Sequence, residues 1–167
     1  YGHQGPAEGC WIPIEAFPFY SSKAEGTYFW DVDGNRFIDY MCAYGPNILG
    51  YGDPDVDRAA MEQLTIGNCT TAPSSKMVEC AELLVDTVAS ADWAFFMKNG
   101  TDATTFANIT ARAATGRKKT IFLRGYYHGN QPWAMKADYP GILPEEVANN
   151  IVVPWFDLDA LEKAWDY

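Results

Sequence analysis

The sequence has 167 residues, of which 48% are hydrophobic and 15% aromatic, so it is long and apolar enough to fold and is not a disordered chain. Its 12 basic and 22 acidic residues give a formal net charge of −10, which disfavours nucleic acid and anionic membranes as partners. No apolar run approaches the length of a membrane span, and no signal-peptide pattern opens the sequence.

The N-terminal part is predicted to combine an irregular arm with a β-hairpin. Residues 1–26 contain glycine, proline and aromatic residues without a clear period. Two aromatic-rich runs within residues 27–41 then flank Asp33 and Gly34, and glycine tolerates the positive φ that a tight turn requires. The oxygen-bearing side chains of this segment also suggest a calcium loop, but Arg36 stands where the EF-hand requires its glycine. A plain hairpin is therefore the prediction.

Two helices are predicted after a loop at residues 43–54 that contains several glycine and proline residues. Asp53 or Asp55 would cap the first helix, which runs to about Thr65. The second helix follows Pro73, because apolar residues recur there at intervals of three and four positions, as one face of a helix requires. These apolar residues are Met77, Ala81, Leu84 and Val88.

Strand and helix signals alternate in the second half of the sequence. Short apolar runs at residues 93–98, 120–123 and 151–155 predict strands, and the proline of the last run ends that strand or places it at a sheet edge. Small and apolar residues on one side of residues 102–115 predict a helix, and Asp157 would cap another. A strand, a turn, a helix and a strand at this spacing form a βαβ unit, so we expect the α/β class.

The turn at residues 98–102 is a candidate anion site, because it joins the end of a predicted strand to the start of a helix. The first N–H groups of a helix have no intrahelical acceptor, and the helix dipole adds partial positive charge, so phosphate often binds there. Gly100 would let a ligand approach the backbone, and Thr101 would add a hydroxyl donor. Asp102 adds a negative charge to the same turn, and an ordinary strand–helix connection capped by threonine is the alternative.

The loop at residues 125–129 follows the next predicted strand and is a second candidate. Loops at the carboxyl ends of parallel strands line the binding crevice of such sheets, so we expect this loop to lie near Gly100. An aromatic ring in the loop would stack on a planar cofactor, and His128 would form a hydrogen bond. The alternative is a packed aromatic corner with a satisfied histidine.

Other chemistries find little support in the sequence. It contains neither the G-x-S-x-G motif of a nucleophile elbow nor a P-loop. Because its only histidines are His3 and His128, and its cysteines lack ligand spacing, no metal site is expected. The cysteines are predicted to be the reduced thiols of a cytoplasmic protein. They are Cys10, Cys42, Cys69 and Cys80.

Four blocks of the sequence agree in order and spacing with one enzyme family. They are residues 26–40, 44–50, 99–103 and 111–129. Over about residues 20–130, the sequence in this way resembles the class III pyridoxal-phosphate (PLP)-dependent aminotransferases, and most closely their glutamate-1-semialdehyde aminomutase-like branch. Two positions depart from the family pattern: Tyr51 replaces a histidine that is common after the Leu-Gly pair, and Asp102 is shorter than the usual glutamate.

The resemblance implies part of a fold type I architecture within the α/β class. Residues 1–52 would form the N-terminal arm and β-hairpin of a small domain, and residues 53–167 would form the first part of the PLP-binding large α/β domain. Members of this family are dimers with active sites at the interface, so the resemblance also implies a homodimer.

The same resemblance implies roles for particular residues. Gly100 and Thr101 would hold the phosphate of pyridoxal 5′-phosphate through their backbone N–H groups. Tyr127 would stack on the pyridine ring of this cofactor, with His128 beside it. Tyr44 aligns with an aromatic position that faces the substrate.

The implied reaction is the transfer of an amino group between an amino donor and a carbonyl compound, by an aminotransferase or an aminomutase. No catalytic residue is expected within residues 1–167, because none of the lysines stands in the family's cofactor-lysine context and that lysine is expected downstream. These residues alone are therefore expected to be inactive and poorly folded. A relative that has lost catalysis and binds PLP or a protein partner is the main alternative, and a small acidic interaction module is another.

Overall fold

The computed structural model describes residues 20–166, and the chain divides into two compact units after Ser74. The mixture of helices and strands in these residues confirms the α/β class. None of the helices described has both the length and the apolar composition to cross a membrane. The assignment of residues 1–52 and 53–167 to a small and a large domain stays a prediction.

A three-stranded antiparallel sheet lies in the first unit, with the strands in the order β1–β2–β3. The strands are β1 Ser21–Glu25, β2 Tyr28–Asp31 and β3 Arg36–Ile38. Strands β2 and β3 form the predicted hairpin, and Gly34 in its turn adopts a φ of 84°. The hairpin prediction is therefore confirmed.

Strand β1 corrects part of the predicted irregular arm. Residues 1–19 of that arm lie outside the described residues, but from Ser21 onward the chain pairs with β2, so the prediction is wrong there. The sequence of β1 is largely polar, and four of its five residues are exposed. Only the hydrogen bonds to its neighbour make this segment a strand, and its composition does not reveal them.

Two long helices follow the sheet, and both were predicted. Helix α1 spans Pro54–Ile66, and Asp53 caps it by accepting hydrogen bonds from the N–H groups of Asp55 and Val56, both at 3.0 Å. Proline suits the first helical position because that position has no intrahelical acceptor for an N–H group. Helix α2 spans Ser75–Thr87 at the start of the second unit.

The second unit is built on a two-stranded parallel sheet. Its helices and strands are α3 Gly100–Thr115, β4 Thr120–Leu123, α4 Pro144–Val147, β5 Asn150–Val153 and α5 Leu158–Trp165. Strands β4 and β5 pair in parallel with Phe122 opposite Val152. Strand β5 ends before Pro154, which has no N–H group to donate to a ladder. Both strands were predicted, and β5 is two residues shorter than expected at its C-terminal end.

The strand predicted at residues 93–98 is wrong. None of the described residues forms a strand ladder with this segment. Its side chains pack on α3 instead: the ring of Phe95 lies 4.7 Å from the ring of Phe106, at an interplanar angle of 12°. An apolar run has the composition of a buried strand, but a strand also needs a hydrogen-bonded neighbour, which composition does not reveal.

The buried core of the described residues is small and lies in the second unit. Its buried hydrophobic residues are Phe122, Ala134, Val147, Val153 and Ala164. Phe122 and Val153 come from the paired strands β4 and β5. The loop that follows β4 therefore begins at the end of a strand that contributes to this core.

Candidate functional site

Asn99 caps helix α3 and shapes the turn that the sequence marks as an anion site. Its backbone is extended, with φ −153° and ψ 172°, and its side-chain oxygen accepts a hydrogen bond from the N–H group of Asp102 at 2.9 Å. Its carbonyl oxygen accepts another from the N–H group of Ala103 at 3.1 Å. The cap is therefore asparagine and not threonine, and the helix begins at Gly100, two residues earlier than predicted.

The first turn of α3 offers donors to a ligand. Within residues 20–166, the backbone N–H groups of Gly100 and Thr101 have no hydrogen-bond acceptor. A Cβ atom added at Gly100 would meet no atom within 4 Å, so the space beside this residue is open. Two donors beside open space at the positive end of a helix are what an anion such as phosphate requires.

The loop after β4 lies against this turn, as expected. The hydroxyl of Thr104 donates a hydrogen bond to the carbonyl oxygen of His128 at 2.5 Å, and the N–H group of Asn130 donates to the hydroxyl oxygen of Thr101 at 3.3 Å. Gly129 passes so close that a Cβ atom there would lie 2.8 Å from the hydroxyl oxygen and 2.9 Å from the Cα of Thr101. The two candidate loops therefore lie in direct contact.

The ring of His128 belongs to an aromatic cluster that anchors this loop. The ring centroid of Tyr126 lies 4.3 Å from that of Phe122. The ring of His128 stacks on that of Tyr126, with 5.7 Å between their centroids. The hydroxyl of Tyr126 donates to the carbonyl oxygen of Met135 at 2.9 Å, and burial raises the pKa of Tyr126. The aromatic packing expected in the alternative for this loop is therefore present, and the tyrosine in it is Tyr126.

Tyr127 is more exposed than the half-buried Tyr126, with 60% of its surface accessible. Its hydroxyl donates a hydrogen bond to the side-chain oxygen of Asn130 at 3.3 Å. The aromatic ring is thus accessible to a planar ligand from a loop that is fixed to α3. The roles predicted for Tyr127 and His128 stay predictions.

Residues that no sequence pattern had indicated hold the chain in place after this loop. Beside Thr104, the hydroxyl oxygen of Thr105 accepts a hydrogen bond from the indole N–H group of Trp133 at 3.1 Å. The carbonyl oxygen of Trp133 accepts one from the side-chain amide of Asn150 on β5 at 2.7 Å. Two successive threonines inside a predicted helix were the available signal, because threonine has a lower helix propensity than most residues.

Tyr44 lies in the first unit. It ends the 3₁₀ turn Cys42–Tyr44, and 58% of its surface is exposed. Its predicted role, to face a substrate, stays a prediction.

The carboxylate of Asp31, which begins the possible calcium loop, is engaged within the hairpin turn. Residues 20–166 contain no cluster of three or more histidine, cysteine, aspartate or glutamate side chains that could hold a metal ion. Asp31 accepts hydrogen bonds from the N–H groups of Asp33 at 3.0 Å and Asn35 at 2.8 Å. The side-chain amide of Asn35 donates a third at 2.9 Å and holds the pKa of Asp31 below its ordinary value. The hairpin turn therefore uses this carboxylate.

Comparison of the sequence with known proteins identifies one family. The family model described as aminotransferase class-III matches residues 13–140. The chain is 47% identical to an aminopentol aminotransferase from Sphingopyxis macrogoltabida over 133 residues, which cover 80% of this chain and 31% of that protein. It is 38% identical to a glutamate-1-semialdehyde 2,1-aminomutase from Methanocaldococcus jannaschii over 162 residues, which cover 90% of this chain and 38% of that protein.

Solved structures of related proteins have the same fold. The FumI protein of Sphingopyxis sp. MTA144, in its PLP internal aldimine form, matches with a TM-score of 0.89 and 42% identity, over 99% of this chain and 39% of that chain. An omega-transaminase from Sphaerobacter thermophilus matches with a TM-score of 0.82 and 28% identity, over 89% of this chain and 38% of that chain. The present chain thus spans between 31% and 39% of the length of these four proteins. The likeness confirms the expected part of a fold type I α/β architecture.

Proposed function

The chain belongs to the class III aminotransferases, and we propose that the whole protein catalyses PLP-dependent transfer of an amino group from a small-molecule amino donor to a carbonyl acceptor. One observation carries the proposal. The N–H groups of Gly100 and Thr101, which have no acceptor among the described residues, and the exposed ring of Tyr127 lie on two loops that hydrogen bonds hold together.

The site offers a partner for each part of PLP, which has a phosphate group and a planar pyridine ring. The backbone N–H groups of Gly100 and Thr101 would bind the phosphate, for which the open space beside Gly100 leaves room. Tyr127 would stack on the ring, and His128 would lie beside it. PLP supplies the electron sink that transfer of an amino group requires.

The residues of this chain bind and orient the cofactor in this proposal. The hydroxyl oxygen of Thr101 accepts a hydrogen bond from Asn130, while the hydroxyl donates to none of the described residues. Its hydrogen is therefore available to an oxygen of the phosphate. Thr104, by its bond to the backbone of His128, keeps the stacking loop at a set distance from the phosphate turn.

Other parts of the active site are proposed from the family alone. Tyr44 would face the substrate. The lysine that bears the cofactor is expected outside residues 1–167. The family also supports a homodimer located in the cytoplasm.

The relatives favour an aminotransferase over an aminomutase. The chain is 47% identical to the aminopentol aminotransferase and 38% identical to the aminomutase. An aminopentol is an amine that carries hydroxyl groups, and we propose a donor of this chemical class. Turnover of an amino-polyol with a keto acid as acceptor, compared with isomerisation of glutamate-1-semialdehyde, separates the two reactions.

Borohydride reduction of the full-length protein, followed by peptide mass mapping, tests the proposed function. We expect a phosphopyridoxyl group on one lysine outside residues 1–167 and loss of aminotransferase activity upon reduction. Protein stripped of its cofactor before reduction is the control and should keep an unmodified lysine. If the protein binds PLP but forms no adduct, it is a relative that has lost catalysis. A protein that does not bind PLP would refute the proposal.

A further inference from the structure

The turn that carries Tyr44 is strained. Cys42, Ala43 and Tyr44 have φ angles of 48°, 51° and 65°, in the left-handed region that residues with a Cβ atom rarely adopt. Single residues visit this region, whereas three successive non-glycine residues persist there only when the surrounding structure imposes it. The residues around the turn must therefore supply that support.

Asp39 supports the start of the turn. Its carboxylate accepts hydrogen bonds from the N–H groups of Met41 at 2.8 Å and Cys42 at 3.1 Å. The carbonyl oxygen of Cys42 in turn accepts from the N–H groups of Gly45 at 2.9 Å and Asn47 at 3.0 Å, which closes the turn. Bonds to an ionised carboxylate are stronger than those between neutral groups, so Asp39 is a firm anchor.

Tyr51 fixes Asp39 from outside the turn. Its hydroxyl donates to the second carboxylate oxygen at 2.7 Å and holds the pKa of Asp39 below its ordinary value, so this acceptor stays charged at neutral pH. The backbone of Tyr51 pairs with that of Gly26 through two N–H···O bonds of 2.8 Å. Tyr51 therefore ties Asp39 to the connection between β1 and β2.

We propose that Asp39 and Tyr51 form a positioning pair, which holds the strained turn and so sets the orientation in which Tyr44 contacts the amino substrate. This inference rests on the function proposed above. Tyr44 is the exposed member of the three, whereas Asp39 and Tyr51 are half-buried. Neither Asp39 nor Tyr51 contacts the substrate itself, and their effect passes through the turn.

Removal of one hydroxyl group tests the pair. In the full-length protein we expect Tyr51→Phe to raise the KM for the amino donor about fivefold and to leave kcat and the absorbance of bound PLP unchanged, because only the orientation of a binding residue is lost. Tyr40→Phe is the matched control, since Tyr40 follows Asp39 directly and is 88% exposed. Its KM should equal that of the wild-type protein.

A double variant distinguishes positioning from a merely structural role. Tyr44→Ala should raise the KM at least as much as Tyr51→Phe does, and the combined variant should show no further increase, because Tyr51 acts through Tyr44. Effects that add independently would overturn the positioning pair. An unchanged KM in Tyr51→Phe, beside a raised KM in Tyr44→Ala, would overturn it as well.

A structural measurement keeps this inference separate from the proposed function. Wild-type protein that transfers no amino group would refute the proposed function and leave the turn to be examined directly. In a crystal structure of Tyr51→Phe, residues 42–44 should leave the left-handed region or occupy more than one conformation. A turn identical to that of the wild-type protein would overturn the positioning pair.

Discussion

The hydroxyl of Thr104 and the carbonyl oxygen of His128 lie 2.5 Å apart, although 24 positions separate the two residues in the chain. Thr104 belongs to the N-terminal part of α3, next to the turn that is proposed to bind phosphate. His128 directly follows Tyr127, which is proposed to stack on the cofactor ring. This hydrogen bond therefore relates the two halves of the proposed cofactor site to each other.

Replacing Thr104 with valine should weaken cofactor binding. Thr104→Val removes the hydroxyl and keeps the shape of the side chain, so we expect the PLP affinity of the full-length protein to fall about tenfold and its free energy of unfolding by about 1 kcal/mol. Titration of the apo protein with PLP measures the first quantity. Thr104→Ser should restore most of the affinity. Thr110→Val, at an exposed position of the same helix, is the control, and equal affinities in Thr104→Val and Thr110→Val would contradict the prediction.

Gly100→Ala should separate the stability of the fold from the binding of the cofactor. The added methyl group meets no atom within 4 Å, and alanine favours a helix, so the free energy of unfolding should stay the same or rise by up to about 1 kcal/mol. The methyl group would occupy the space left for the phosphate, so affinity for PLP should fall at least about tenfold. Denaturant unfolding and PLP titration measure the two effects. Wild-type affinity in this variant would place the phosphate elsewhere.

Gly129→Ala should destabilise the protein by more than a positive φ alone explains. Gly129 has a φ of +117°, and a Cβ atom there would lie 2.8 Å from the hydroxyl oxygen of Thr101. Gly141 has a φ of +91° with no atom within 4 Å of such a Cβ, so Gly141→Ala isolates the cost of the backbone conformation. We expect the free energy of unfolding to fall by about 1 kcal/mol in Gly141→Ala and by about 3 kcal/mol in Gly129→Ala. Equal losses would show that the loop can move away from α3.

Stability at acid pH should depend on Asp39. The hydrogen bond from Tyr51 lowers the pKa of Asp39 from its ordinary 3.8, so the folded protein binds this proton more weakly than the unfolded chain does. The stability that Asp39 contributes is therefore fully present well above pH 3.8 and is lost as the pH falls through 3.8 and then through the lowered pKa. Denaturant unfolding between about pH 6 and pH 3 should show a smaller loss in Tyr51→Phe than in the wild-type protein. A loss of the same size in both would mean that Tyr51 does not set this pKa.

The sequence determined those turns and helix ends that depend only on interactions between residues a few positions apart. The turn at Asp33 and Gly34 places the hairpin, and Asp53 caps α1 one position before a proline. Gly116 ends α3 in the left-handed conformation with a φ of 68°, which glycine adopts without strain. The four sequence blocks also indicated the family, because their order and spacing are read directly from the sequence and do not depend on knowledge of the fold.

Only the tertiary structure decided which segments pair and which side chains meet. Residues 93–98 are apolar but have no ladder partner among the described residues, whereas the polar strand β1 pairs with β2. The bond from Thr104 to His128 and the bond from Tyr51 to Asp39 each join residues that are far apart in sequence. Such contacts depend on the path of the chain in space, and a hydroxyl group in the sequence does not specify which distant oxygen it will reach.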